Sequence, residues 1–341
     1  MKIIVDGMGG DNAPAAIVEG AVEAAAELSA EYEICIVGRE DLISTELKKY
    51  EYRAGQITIR DCKEKIEMED APVKAVRTKK DSSMVVGINM VKNGEGDCFI
   101  SAGNSGALMA GGLFILGRIQ GIDRPPIASI YPILGGTPSL LIDAGANSEC
   151  KPNNLVEFAH MGSIYMEKVI GRENPTVGLV NLGVEEGKGS TLTKSAFMLL
   201  QKSNLNFIGN VEAREVPKGA CDVIVCDGFV GNVILKLTEG LAWNILGLLK
   251  KKFTDGTKAK MGALLLKSKL KELKSEFDYS EYGGAPILGV KGAVVKTHGS
   301  ANANAVKNTI LKSIPYAEEN VVQKIQNSVL EIEEIVNSEQ E

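Results

Sequence analysis

The feature that most constrains this chain is a repeated unit: a short apolar strand, a turn rich in Gly, Asn or Ser, then an apolar helix. Lys2 to Asp6 runs into Gly7-Met8-Gly9-Gly10-Asp11-Asn12 and a helix from about Ala15 to Leu28. Residues 97 to 100 run into Ser101-Ala102-Gly103-Asn104-Ser105-Gly106 and an apolar run, Ala107 to Leu116, that reads as helical. Cys221 to Cys226 run into Asp227-Gly228-Phe229-Val230-Gly231-Asn232 and a helix from Val233 to about Leu249. Such units build α/β folds, and turns near residues 7, 103, 145, 183, 228 and 299 would converge on one edge of a mostly parallel sheet. An eight-stranded barrel places its loops similarly, so the spacing fixes the class before the topology.

The remaining strand candidates are Glu33 to Val37, Ile57 to Ile59, Pro138 to Ala144, Val177 to Leu182, and a strand that follows the Gly-rich loop at 282–290 and continues through Val294 to Lys296. Helices are expected from the Ser82-Ser83 cap through Met90 and from about Asn154 to Val169, with His160 inside the latter as a packed core residue or more. Val322, Ile325, Val329, Ile332 and Val336 repeat at helical spacing near the end. Arg124-Pro125-Pro126 marks a rigid turn, and no low-complexity linker divides the 341 residues, which read as one domain over 1–341 with a protruding basic segment at about 250–278.

The turn Ser101–Gly106 is the leading anion-site candidate. Its backbone N–H groups converge at a helix start, where the dipole adds partial positive charge, and no acid lies between Ser101 and Leu116. A tight turn that needs glycine for φ > 0 is the alternative. No Gly-Lys-Ser/Thr follows, so it is not a nucleotide P-loop. Gly7 and Gly9 start a dinucleotide fingerprint that Asn12 breaks, while Asp6 and Asp11 would repel a pyrophosphate. Asp11 then positions a substrate group or metal, or caps the helix. Lys188, flanked by Gly187 and Gly189 in the loop after a strand, is either a surface lysine or a cation at the place where α/β sites gather. Lys74, Arg77, Lys79 and Lys80 precede the Ser82 cap and could hold a phosphate or remain solvated.

Charge and cysteine usage narrow the class. With 38 basic and 44 acidic residues the net charge is −6, which argues against general nucleic-acid binding. The Met-Lys-Ile-Ile-Val-Asp start reaches an acid too soon for a signal peptide, and no apolar run is long enough for a bilayer span. Cys35, Cys98 and Cys226 sit in strand-like runs, as buried thiols of a reducing cytoplasm would. No Cys-x-x-Cys pair exists and only His160 and His298 supply imidazole, so no zinc site is expected. Between 250 and 274 nine lysines face two acids, and Leu266, Leu270, Leu273 and Phe277 form a helical stripe. That pattern suits an anionic membrane surface, an acidic protein partner, or a buried core or dimer contact.

Asp6-Gly-Met-Gly-Gly-Asp11, Ser101-Ala-Gly-Asn-Ser-Gly-Ala107, Asp227-Gly-Phe-Val-Gly-Asn232, Glu281-Tyr-Gly-Gly-Ala-Pro286 and His298-Gly-Ser300 follow one another in that order. This ordered set resembles the phosphate acyltransferase of bacterial phospholipid synthesis, with Ser105 where the family carries Thr. The resemblance implies transfer of a fatty acyl group from an acyl-carrier-protein thioester to inorganic phosphate, with no cofactor. It also implies a three-layer α/β sandwich with a mostly parallel, partly mixed sheet, similar to isocitrate/isopropylmalate dehydrogenases, in a homodimer. A membrane glycerol-phosphate acyltransferase would receive the product, which implies a cytoplasmic protein with peripheral membrane contact. Phosphate is itself the nucleophile, so no nucleophilic triad is needed. On this reading Ser101, Gly103, Asn104, Ser105 and Gly106 bind phosphate, and Lys188 and Asn232 are catalytic. Asp11, Arg77, Asn147, His298 and Ser300 are further substrate-binding candidates. Rivals are a phosphate acetyltransferase-like enzyme using coenzyme A, a nicotinamide-dependent dehydrogenase, and a non-catalytic membrane scaffold for lipid enzymes.

Overall fold

Eleven strands in two sheets carry the chain in its computed structural model, which describes residues 1–133, 135–276 and 283–337. They are β1 Lys2–Asp6, β2 Glu33–Gly38, β3 Ile57–Asp61, β4 Cys98–Ser101, β5 Ala128–Tyr131, β6 Ser139–Ile142, β7 Thr176–Asn181, β8 Asn206–Glu212, β9 Val223–Val225, β10 Ala285–Pro286 and β11 Ala293–Lys296. The first sheet has the order β10-β11-β4-β1-β2-β3 and the second β5-β6-β9-β7-β8. Each is parallel except for one antiparallel edge strand, β10 on β11 and β5 on β6. Both are therefore mostly parallel and partly mixed, and helices cover them on both sides.

The Gly/Asn turns do not share one sheet edge. Those after β1, β4 and β11 belong to the first sheet, and those after β6, β7 and β9 to the second. Turn chemistry is alike in both, so the sequence pattern cannot report the division. One core still joins the sheets: Ile3 and Val5 of β1 lie in the same buried cluster as Leu140 and Ile142 of β6 and Val223 of β9. The strands are nearly continuous apolar runs because both faces are covered. Cys35, Cys98 and Cys226 are buried there as free thiols.

The apolar run after Ser105 is helical, as its pattern indicates, but changes pitch: an α-helix Ser105–Gly111 passes into a π-helical turn, Gly112–Leu116. The helix after β9 starts earlier and runs further than expected, Gly228–Thr254. The basic segment breaks into helices Thr257–Leu265 and Lys267–Glu276; the break falls before the leucine stripe, since the Leu266 carbonyl accepts the Leu270 N–H at the start of the second helix. The side chains of Leu273, Ile332 and Val336, and residues Phe277, Glu281 and Tyr282, lie outside the described part. No helix among the described residues is long and apolar enough to cross a membrane.

Helix Pro152–Lys168 places Glu157 where it is only 4% exposed, and its Oε2 accepts the N–H groups of Asp123 (3.1 Å) and Arg124 (3.4 Å). Burial outweighs those bonds and lifts the carboxyl from its ordinary 4.5 to about 7. The native state thus holds this proton more tightly than the unfolded chain. Its contribution to stability is complete below about pH 4 and is lost as the pH rises through about 7. The loss amounts to about 3 kcal/mol. Glu157→Gln, which keeps an acceptor without the charge, is expected to be the more stable protein at pH 8 and to lose that advantage by pH 4. Denaturant midpoints at the two pH values check this; equal offsets from wild type at both would contradict it.

Candidate functional site

Three turns meet at the C-terminal edge of the first sheet. Asp11 N donates to Gly299 O (2.8 Å), and Asn12 Nδ2 donates to the carbonyls of Ser300 (3.2 Å) and Ala301 (3.1 Å). Gly9 packs so closely that an added Cβ would lie 2.7 Å from Gly103 N. The turns after β1, β4 and β11 are therefore one construction.

Within it, Ser101 and Asn104 are committed to the protein itself. Buried Ser101 donates its hydroxyl to Asp6 Oδ2 (2.6 Å) and accepts Gly103 N–H (3.0 Å). The acid that the sequence of this segment lacks is thus brought in from β1. Asn104 caps its helix by accepting Ala107 N–H (3.0 Å) and donates its amide to the carbonyls of Glu67, Met68 and Asp70. What remains open to solvent is Ser105 and Gly106, whose first-turn N–H groups have no intrahelical acceptor.

Two residues that sequence reading passed over, Lys296 and Lys236, stand beside this edge. Lys296 ends β11 in register with Ser101, and its Nζ donates to the Thr297 carbonyl. Burial lowers its ammonium to about 8 and Lys236 adds to the effect, while Asp6 and Asp11 pull the other way. Lys236 comes from helix Gly228–Thr254 and pairs with Glu239 at 2.7 Å. His298 accepts at Nδ1 from Ser300 N (3.3 Å), with Ser300 Oγ at 2.8 Å. That arrangement leaves the ring proton on Nε2. Burial, then Lys236, hold its pKa below the usual value, so it is a neutral donor near pH 7.

The second sheet contributes a tight cradle. Asp143, fully buried after β6, accepts N–H groups from Ile127, Gly145 and Ala146 on Oδ1 and from Asn147 on Oδ2. Burial still pushes its carboxyl above the usual range. Asn147 donates its amide to Asp143 and to Pro125 O, so it braces this turn. The Gly228 helix starts against it: Gly228 N donates to Asn147 O (2.8 Å), and Asp227 caps Val230 N (2.8 Å). Exposed Asn232 then lies over Gly145, whose Cβ, if added, would sit 3.3 Å from Asn232 Cβ. Lys236 follows Asn232 by four residues and shares its helix face.

The structure brings Asp11, Ser101, Gly103, Ser105, Gly106, His298 and Ser300 together, and it connects Asn232 to them through Lys236. Lys188 lies on the exposed loop after β7, held by Lys188 N to Glu185 O and by Asn181 Nδ2 to Lys188 O, and its contacts stay within that loop and strand. Arg77 stacks over Phe114, 5.5 Å from the ring centroid. Lys79 pairs with Asp70 (2.6 Å) and Lys80 donates to Val76 O, so the basic run before Ser82 is dispersed into local contacts.

A family described as "Fatty acid synthesis protein" matches residues 1–324. Curated relatives include a protein of Alkaliphilus oremlandii, 55% identical over 96% of this chain and 97% of its own. Another, from Clostridioides difficile, is 52% identical over the full length of both. Both are named phosphate acyltransferase. Among solved structures, a phosphotransacetylase from Streptococcus pyogenes aligns with TM-score 0.60 at 17% identity over 94% of each chain. The EutD phosphotransacetylase from Staphylococcus aureus aligns with TM-score 0.58 at 17% identity, again over 94% of each. The structural likeness establishes a shared fold, and the whole-length identity establishes more: the chain belongs to the phosphate acyltransferase family.

Proposed function

We propose that this protein moves a fatty acyl group from an acyl-carrier-protein thioester to inorganic phosphate, releasing acyl phosphate. The observation that carries this reading is the whole-length identity to proteins named phosphate acyltransferase. A phosphate oxygen attacks the thioester carbonyl and the pantetheine sulfur leaves. Ser105 and Gly106 offer exposed N–H groups to phosphate, and Asn232 donates to the carbonyl oxygen as charge builds on it. Lys188 neutralises substrate charge from its loop, and His298 Nε2–H adds a neutral donor.

Two surfaces support the partner part of the proposal. Helix Gly228–Thr254 leaves Phe229, Val233, Leu237, Leu241, Ile245 and Leu248 exposed at a spacing that makes one apolar stripe. A second copy of the chain would cover it. Leu241→Glu is then expected to shift the molecular mass in solution from the dimer to the 36.4 kDa of one chain. Light scattering during gel filtration measures this; an unchanged dimer would refute the interface. The lysine-rich helices beyond it expose Met261, Leu264 and Leu265, a combination suited to an acidic carrier protein or an anionic membrane.

The test of the function is acyl phosphate formation from labelled phosphate, with a long-chain acyl-carrier-protein in one tube and acyl-coenzyme A in another. Labelled product from the carrier-protein donor is expected, with turnover falling as salt is raised. Product from coenzyme A alone would replace the donor; no product from either would leave a scaffold role.

A further inference from the structure

At neutral pH, hydrogen phosphate and a thioester give an acyl phosphate dianion and a thiol. One proton must therefore travel from phosphate oxygen to sulfur. An alkyl thiolate is a poor leaving group without it, and efficient proton transfer needs a group whose pKa lies near the working pH.

Resting on the acyl-transfer reading above, we propose that Lys296 carries this proton. As the carbon–sulfur bond breaks, the Lys296 ammonium gives one N–H proton to the departing sulfur and becomes a neutral amine. The carbonyl carbon–oxygen bond to phosphate has formed before this, and once the thiol has left the P–OH of the new acyl phosphate returns a proton to the amine. The C–S and O–H bonds are broken, C–O and S–H bonds are made, and Lys296 ends as it began.

Position supports the assignment. Lys296 ends β11 in register with Ser101 of β4, the residue that begins the turn whose Ser105 and Gly106 are open. The charged groups that act on it are Asp6 of β1, Asp11 of the turn that follows and Lys236 of the Gly228 helix. His298, the neighbouring titratable group, feels Lys236, Glu239, Lys296 and Asp11. His298 already has Nδ1 held by Ser300, and Asp6 has its two oxygens engaged by Ser101 and Met8 N. Lys296 donates to the Thr297 carbonyl and has further N–H protons to give. Partial burial keeps its ammonium near 8, within reach of the working pH.

The experiment compares two acyl donors with inorganic phosphate: an acyl-pantetheine thioester, and the same acyl group on nitrothiophenol, whose thiolate leaves unprotonated. Wild type should form acyl phosphate from both. Its rate with the pantetheine thioester should fall above about pH 8, and that limb should be missing with the aryl thioester. Lys296→Met and Lys296→Arg should slow the pantetheine reaction by about 10²–10⁴-fold and the aryl reaction by only a few-fold. Equal losses on both donors, or unimpaired turnover on pantetheine, would overturn the assignment. Should the variants fail to fold, a wild-type pH limb shared by both donors overturns it equally. Absence of acyl phosphate from wild type with any donor is a different result, and removes the acyl-transfer reading itself.

Discussion

Asn232→Ala is expected to lower kcat for acyl phosphate formation by about 10²–10³, the loss that follows removal of one oxyanion donor. The protein should unfold at the wild-type denaturant concentration. Asn232 is exposed on the first turns of the Gly228 helix, and its amide makes no hydrogen bond to other described residues, so its removal leaves nothing buried unsatisfied. Its orientation comes from the backbone beneath it. Gly145 at φ +130° lets the turn after β6 approach to Cβ contact distance, and Asp143 fixes that turn through three different backbone N–H groups of residues 145–147. Asn232→Asp, nearly isosteric, should lose at least as much, because it puts a carboxylate where negative charge develops. Measured kcat and KM decide the matter. A KM effect with unchanged kcat would make Asn232 a binding residue and not a stabiliser of the transition state. Lys188→Ala is the companion variant; near-normal turnover would remove that loop from the chemistry.

Which parts of this were legible in the chain depended on where the partner groups lie. The strand–turn–helix units are local, so β1, β4 and β9 and their turns could be read from runs of fewer than twenty residues. Edge strand β8, Asn206–Glu212, could not, since polar residues and Gly209 interrupt its pattern and only Asn210 and Val211 are buried. The candidate phosphate residues show the same limit more sharply. Ser101 and Asn104 have the chemistry to hold an anion, yet Asp6 and the carbonyls of Glu67, Met68 and Asp70 claim them first. Lys296 reads as an ordinary lysine at a strand end. Its lowered pKa comes first from burial, which parallel pairing beside Ser101 imposes, and then from Lys236, against the opposing pull of Asp6 and Asp11; all of these groups arrive from distant parts of the chain. Asn147, a substrate-binding candidate in the sequence, has an amide that donates to Asp143 and Pro125, partners that a local reading cannot supply.

The second large effect is expected at Gly231. A Cβ there would lie 1.9 Å from the Asp143 carbonyl oxygen and 3.0 Å from Cys226 Sγ. The oxygen belongs to a backbone that cannot rotate away, because the Asp143 carboxylate is itself locked by the turn it caps. The helix must therefore lift, which breaks the Gly228 N to Asn147 O bond and carries Asn232 off Gly145. Gly231→Ala should cost about 3 kcal/mol or more, the upper end of overpacking penalties, and should abolish turnover as well. Gly262→Ala supplies the contrast. It sits in helix Thr257–Leu265 with no atom within 4 Å of the added Cβ, so it should gain about 0.5–1 kcal/mol from helix propensity alone. Denaturant unfolding of the two variants side by side separates a general preference for alanine in helices from a specific demand for glycine. If Gly231→Ala matched wild type in both midpoint and turnover, the close approach of this helix to Asp143 would not be what positions Asn232.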